Sequence, residues 1–437
     1  MSNLEDFVNL TITSGTNTLT RPGFGTPLFA CQKLPAGFGL GVVKTYTSLK
    51  DMLTDGFAVT HPAYLMATAL KAQNPSPSRW KIGRRTSAIR TVQLTVTDAT
   101  LGAVYLVTID GKTITYTVPG AATTTTVAAA IAALVAPTSQ LVTASASVAV
   151  ITLVGPSGVV FDVADWTPNL QVLDASVNAN VAADLAAIAA ADSDWFGLAL
   201  DATSKAEAVA VATFGEANKR LCGVATSDYA VTDNASTTDV VATLKASSYF
   251  WTFSIHHNTQ LLAYPQVGLF GNRFPFDPGN ETWGFKTLAG IRASVYSAGA
   301  QEANVWAKNG NTYTTTAGAN LTQKGQVASG EWIDVVRFRA WLESEIKTRV
   351  VALFANSPKV PYTDAGVDAV VSVISGTLQD GIRRGGLAED PQPVITAPKV
   401  SAIDAVTRGT RRLPNVAWSA RLSGAIQAVD INGLLSV

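Results

Sequence analysis

The 437-residue sequence is poorest in charge. Charged residues make up 15% of it, against roughly 25% in an average soluble domain. The 32 basic residues balance 32 acidic ones, so the basic excess that a nucleic-acid binder needs is missing. Cys31 and Cys222 are the only cysteines and form no C-x-x-C pattern, which argues against a disulfide framework or a cysteine zinc site. No run approaches the roughly 18–20 apolar residues of a membrane span. The longest candidate, Val181–Ala191, is too short and carries Asp184. The start, Met1-Ser2-Asn3-Leu4-Glu5-Asp6, is acidic and polar, unlike a signal peptide, so maturation in a reducing cytoplasm is expected. Neither the G-x-x-x-x-G-K-[ST] phosphate loop nor the G-x-S-x-G elbow occurs.

The remaining polarity is mostly Thr, Ser, Asn and Gln, which suits β-rich structure and interfaces insensitive to salt. A neutral surface poor in charge promotes association over free diffusion.

Few residues carry candidate chemistry. Gly37-Phe38-Gly39-Leu40-Gly41 lacks the G-x-G-x-x-G spacing and is read as a glycine-rich loop. His256-His257 follows the buried-looking strand Trp251–Ile255, where α/β enzymes place reactive groups. Adjacent strand residues point to opposite faces, however, so the pair cannot readily clasp one metal, and a structural role is expected. Asp228, Asp233 and Asp239 do not match the alternate positions of a calcium loop and are read as loop carboxylates. Arg383-Arg384 and Arg411-Arg412 are short basic pairs read as solvated.

The expected fold class is an α/β core, with a mixed or parallel sheet flanked by helices. It carries an inserted small ββαββ domain and extended N- and C-terminal β-strand arms. Helices are expected to start at Ser48 and Pro62, and Arg79–Arg84 reads as a buried strand. Within the insertion, Val104–Ile109 and Thr113–Val118 flank Asp110-Gly111, a strong hairpin signal. Thr123–Val135 follows as a helix, and Val148–Val154 with Val159–Val163 as a second strand pair about Gly155–Gly158. From Val181 helix and strand alternate as in a parallel sheet: Val181–Ala191, Trp195–Leu200, Ser204–Asn218, Lys219–Ala225, Thr237–Ala246 and Ser248–Ile255. Residues 261–330 read as irregular. Glu331–Phe354 and Asp364–Gln379 carry apolar stripes of helical period, the second capped by Thr363 or Asp364. The expected units are an N-terminal arm (1–20), a core in two parts (21–90 and 175–407), the insertion (91–174) and a C-terminal arm (408–437).

Both ends look like strands. Val8, Leu10 and Ile12 share one face of Asp6–Thr13, and the tail carries Ile426, Val429 and Ile431. A strand needs a neighbour for its backbone groups, either in its own chain or in another copy through strand addition. Gly15 and Gly409 are the hinge candidates beside these arms.

Several segments resemble the contractile tail sheath proteins of long-tailed bacteriophages. They are Phe7–Ile12 with Arg21–Leu28, Pro278–Lys286, Gly330–Asp334, and Ala420–Gln427 leading into the terminal strand. The resemblance spans most of the chain except the insertion. It implies a structural, non-enzymatic subunit with no cofactor, metal or catalytic residue. It implies arms that pair with neighbouring copies, and hexameric rings stacked helically around a tail tube that the C-terminal half faces. Baseplate and tail terminator proteins would be further partners, without nucleic acid or membrane insertion. The implied location is the virion tail, assembled in the host bacterial cytoplasm, and contraction would drive the tube through the host envelope. The alternatives are a tail-tube or other non-contractile tail protein, and a cytoplasmic α/β enzyme built around His256.

Overall fold

The computed structural model describes residues 23–139, 141–296 and 299–430. The chain begins with β1 (Pro27–Cys31), β2 (Val43–Tyr46), α1 (Leu49–Thr54), α2 (Pro62–Lys71) and β3 (Trp80–Arg84). Ser48 Oγ accepts from Asp51 N to start α1, and Pro62 occupies the first turn of α2, where its missing N–H costs nothing.

The stretch read as an insertion contains β4 (Thr91–Val96), β5 (Val104–Ile109), β6 (Lys112–Thr117), α3 (Thr124–Thr138), β7 (Thr143–Ser147), β8 (Val150–Val154), β9 (Val163–Ala164) and β10 (Leu170–Asp174). The sheets run β10-β4-β8-β7 and β6-β5-β9. Asp110 and Gly111 both take positive φ, 46° and 75°, as a type I′ hairpin demands. The expected second strand pair is corrected. β8 pairs with β7 and β4, while the chain after Gly158 crosses to the other sheet and pairs only at Val163–Ala164, beside β5. Val92, Leu94, Ile131, Ile151, Phe161 and Val172 belong to an apolar core of this region's own.

Helix and strand then alternate through α4 (Val181–Ala191), β11 (Gly197–Leu200), α5 (Lys205–Asn218), β12 (Leu221–Thr226), α6 (Val240–Ala246) and β13 (Thr252–His256). Ser204 and Glu207 form the capping box of α5. The stretch expected to be irregular holds α7 (Pro265–Arg273), α8 (Gly299–Ala307), β14 (Asn311–Thr316) and β15 (Ala319–Gln323). The glycines that disguised α7 serve packing. A Cβ on Gly271 would lie 2.5 Å from the Leu70 carbonyl oxygen of α2. The chain ends in α9 (Ile333–Asn356), α10 (Asp364–Arg383), β16 (Val394–Thr396), α11 (Ala405–Gly409) and β17 (Ala417–Ser419). Thr363 precedes α10 without a side-chain capping bond.

The main sheet runs β15-β14-β13-β12-β11-β1-β3-β2, parallel except for its antiparallel edge strands β15 and β2. It is covered on both faces. Phe29 and Cys31 of β1 join α1, α2 and α7 in one apolar cluster, while Leu28 and Ala30 join α4 and α5 in another. Beyond the sheet, α9 packs on α10 through Phe338, Trp341, Leu342, Ile374 and Leu378. The buried Arg337 of α9 pairs with Glu281 at 2.6 Å and donates to the Phe24, Phe274 and Phe276 carbonyls, tying three segments to one helix.

Candidate functional site

The order β3-β1-β11-β12-β13 is that of flavodoxin-like sheets, which hold ligands outside the strands' carboxyl ends where the order reverses. Here that reversal lies between β1 and β11, and the protein's own charges fill it. Asp201, just after β11, accepts from Arg85 Nη1 at 2.6 Å and from the Gln32 backbone N–H at 2.7 Å. The second Arg85 amino group pairs with Glu207 in the first turn of α5, and all three side chains are buried. Tyr264 Oη donates to the Asp201 carbonyl at 2.8 Å, closing the crevice from the α7 side.

The other sequence candidates make contacts within the chain. His256 ends β13, its Nδ1 2.7 Å from Tyr296 Oη, and burial pushes its pKa down to about 3, so the ring is neutral. The ring nitrogens of His257 face the Gln260 and Arg292 carbonyls, and burial lowers its pKa too. Asp228 caps a 3₁₀ turn, Asp233 accepts from Ala235 N, and Asp239 caps α6 while pairing with Lys308 at 2.8 Å. Among the described residues no group of three or more His, Cys, Asp or Glu could hold a metal ion. Nor is any described helix long and apolar enough to cross a membrane. Gly37-Phe38-Gly39 forms a 3₁₀ turn with Ala36, and Leu40 beside it is fully exposed. Arg383 pairs with Asp380, and Arg384 pairs with Asp277 and lies over the Trp341 ring, so neither is a free cation.

The surface features that can act lie after α10. Among the described residues β16 and β17 pair only with each other, and both strands are largely exposed. A lone two-stranded ribbon is marginal in water. Val394, Val406, Trp418, Leu422, Ile426 and Val429 all expose apolar side chains along this stretch, Ile426 to 87%. The backbone of Arg421–Ser423 lies against Gly386–Ala388, with Ala388 N donating to the Arg421 carbonyl at 2.8 Å and Ser423 N to the Gly386 carbonyl at 3.2 Å. Residues 423–430 then run without secondary structure. Of the arm expected over 408–437, Ala417–Ser419 forms β17 and Leu422 bridges Leu387, while residues 431–437 lie outside the described residues. A strand continued past Ser423 has no partner in the described chain, and unpaired backbone must stay solvated. Of the arm residues, Ile426 and Val429 are placed and exposed, whereas Val8, Leu10, Ile12 and Ile431 lie outside the described residues, as does Gly15. Gly409 ends α11 facing open space. The edge-bearing ribbon escaped sequence reading because its strands are too short to show a period.

The sheet is open and doubly wound, its switch point is occupied by Arg85, Asp201 and Glu207, and apolar side chains stand exposed along the tail. Residues 333–391, covering α9 and α10, match the family "E217 tail sheath protein gp31-like, C-terminal domain". Over nearly its whole length the chain has the fold of solved contractile sheath subunits. A chain of the anti-feeding prophage baseplate superposes with a TM-score of 0.56 at 11% identity, covering 98% of this chain and 99% of that one. The anti-feeding prophage helical sheath in its contracted state gives 0.55 at 12% identity, covering 98% of each chain. The sheath tail protein of Desulfitobacterium hafniense gives 0.51 at 11% identity, covering 95% of this chain and 99% of that one. No curated protein matches the sequence. The resemblance to contractile tail sheath proteins thus holds in both the fold and the C-terminal helices.

Proposed function

We propose that this chain is the repeating subunit of a contractile tail sheath. Copies stack as hexameric rings around a tail tube, between a baseplate and a terminator, in the tail of a virion assembled in the host cytoplasm. Contraction then drives the tube through the host envelope. The observation that carries the reading is the full-length likeness to sheath subunits, one of them in a contracted helical sheath. The exposed β16–β17 ribbon and the apolar tail supply its physical basis.

Each strand-pairing hydrogen bond contributes roughly 0.5–1.5 kcal/mol net, so an arm of several bonds with apolar contacts stays attached. The subunit bodies can then rotate between two sets of interfaces while the arms hold. Gly15 and Gly409 are the proposed hinges, and Val8, Leu10, Ile12, Ile426, Val429 and Ile431 the proposed pairing residues. Negative-stain electron microscopy of the purified chain beside a version lacking residues 1–17 and 422–437 tests this. Tubes or stacked rings are expected only from the full chain. Monomers in both samples would sink the reading.

A further inference from the structure

A unit inserted through two adjacent chain crossings is free to swing on them, and relative motion is the default for such units. Here a third, non-covalent crossing removes that freedom. Beyond the carboxyl end of β13 the chain runs antiparallel to β9. Asp165 N donates to the Thr259 carbonyl at 2.9 Å, Leu261 N donates to the Val163 carbonyl at 2.9 Å, and Ala164 bridges Gln260. Thr259–Leu261 therefore extends the three-stranded sheet β6-β5-β9 by a fourth strand that belongs in sequence to the core.

Asp162 sits at the junction. Its Oδ2 accepts from Gln260 Nε2 at 2.6 Å and its Oδ1 from Leu262 N at 3.0 Å. Its backbone N–H donates to Asp110 Oδ1 at 2.8 Å, linking the same point to the β5–β6 hairpin. The apolar groups are exchanged as well. Leu261 packs against the core of residues 91–174, and Val160 packs against the main core in return. At the neck, buried Arg90 and Asp174 pair at 3.2 Å, and Ala175 N donates to the Thr91 carbonyl.

We propose that Thr259–Leu262 is an integral strand of the inserted unit and that Asp162 is the residue that latches it. The unit is thereby fixed to the carboxyl edge of the main sheet at a second point, and insertion and core move as one rigid body. Whatever the outer unit touches is displaced together with the sheet rather than about a flexible neck. The inference does not depend on the sheath reading, since it concerns one chain alone.

Spin labels on Lys112→Cys in β6 and Lys50→Cys in α1 test it by pulsed dipolar distance measurement. Both sites are exposed, whereas native Cys31 and Cys222 are buried. The otherwise native chain is expected to give one narrow distance distribution, and Asp162→Ala to broaden it at least twofold. Hydrogen exchange at 161–165 and 259–262 should quicken at least tenfold in Asp162→Ala, with α9 and α10 unchanged. A broad distribution in the otherwise native pair would overturn the proposal even if Asp162→Ala failed to fold. Unchanged width and exchange in a folded Asp162→Ala would overturn the latch.

Discussion

Asp334 illustrates how one side chain can carry a measurable pH dependence. It lies in the first turn of α9, where the helix dipole favours a carboxylate. Burial nevertheless dominates, and with Glu281 and Glu331 nearby it pushes the pKa up to about 6, against the pull of Lys286. Its Oδ1 is buried without a hydrogen-bond partner. The unfolded value is roughly 3.9, so the folded state holds this proton more tightly. The resulting stabilisation is complete below about pH 4 and is lost as pH rises through about 6. Asp334→Asn is therefore expected to stabilise the chain at pH 7.5 by on the order of 1–2 kcal/mol. The variant should also lack that loss between pH 4 and 6. His256 slopes the other way, because its lowered pKa of about 3 costs stability as pH falls below roughly 6.5. Comparing urea denaturation of the variant and the parent at each pH cancels the histidine contribution. Identical pH slopes for the two would refute the assignment.

At the level of elements, sequence reading placed α5 by its capping box and α9 and α10 by their long apolar stripes, while α4 was placed without a side-chain cap. α7 and α8 were missed, α7 because its glycines serve close contact rather than turns. β7, Thr-Ala-Ser-Ala-Ser, was missed because Thr143 is its one β-branched residue, and it owes its form to pairing with β8. β16 and β17 were missed for another reason, being three residues long each. The Arg85–Asp201–Glu207 cluster was illegible because its members are 6 to 122 positions apart and meet only once the sheet forms. The packing of α9 on α10 offers a direct test. A Cβ on Gly386 would overlap the buried ring of Phe338, and Gly279 closes the other side. Gly386→Ala is expected to cost about 1–3 kcal/mol, the usual range for overpacking. Thermal melts should show a fall of a few degrees, and an unchanged midpoint would mean that the ring moves aside freely.

The main sheet places the most distant strand partners of the described residues at its centre. Pro27 of β1 pairs with Gly197 of β11, whereas the longest strand pairing among β4–β10, Val92 with Asp174, spans roughly half that separation. Closing a longer loop costs more entropy, and non-local pairing slows folding. The β4–β10 unit therefore has the means to fold first, and the central strand must wait for chain made much later. Thr259–Leu262 is later still, so the stitch is the last of these to be completed. Pulse-labelled hydrogen exchange during refolding should protect β4, β5 and β8 before β1 and β11, and simultaneous protection would contradict this order. A chain interrupted before residue 197 would hold a β4–β10 body complete but for Thr259–Leu262 on an unfinished base, with the apolar faces of β1 and β3 bare. The architecture thus sets a window of aggregation risk during synthesis, whose length is fixed by the size of the insertion.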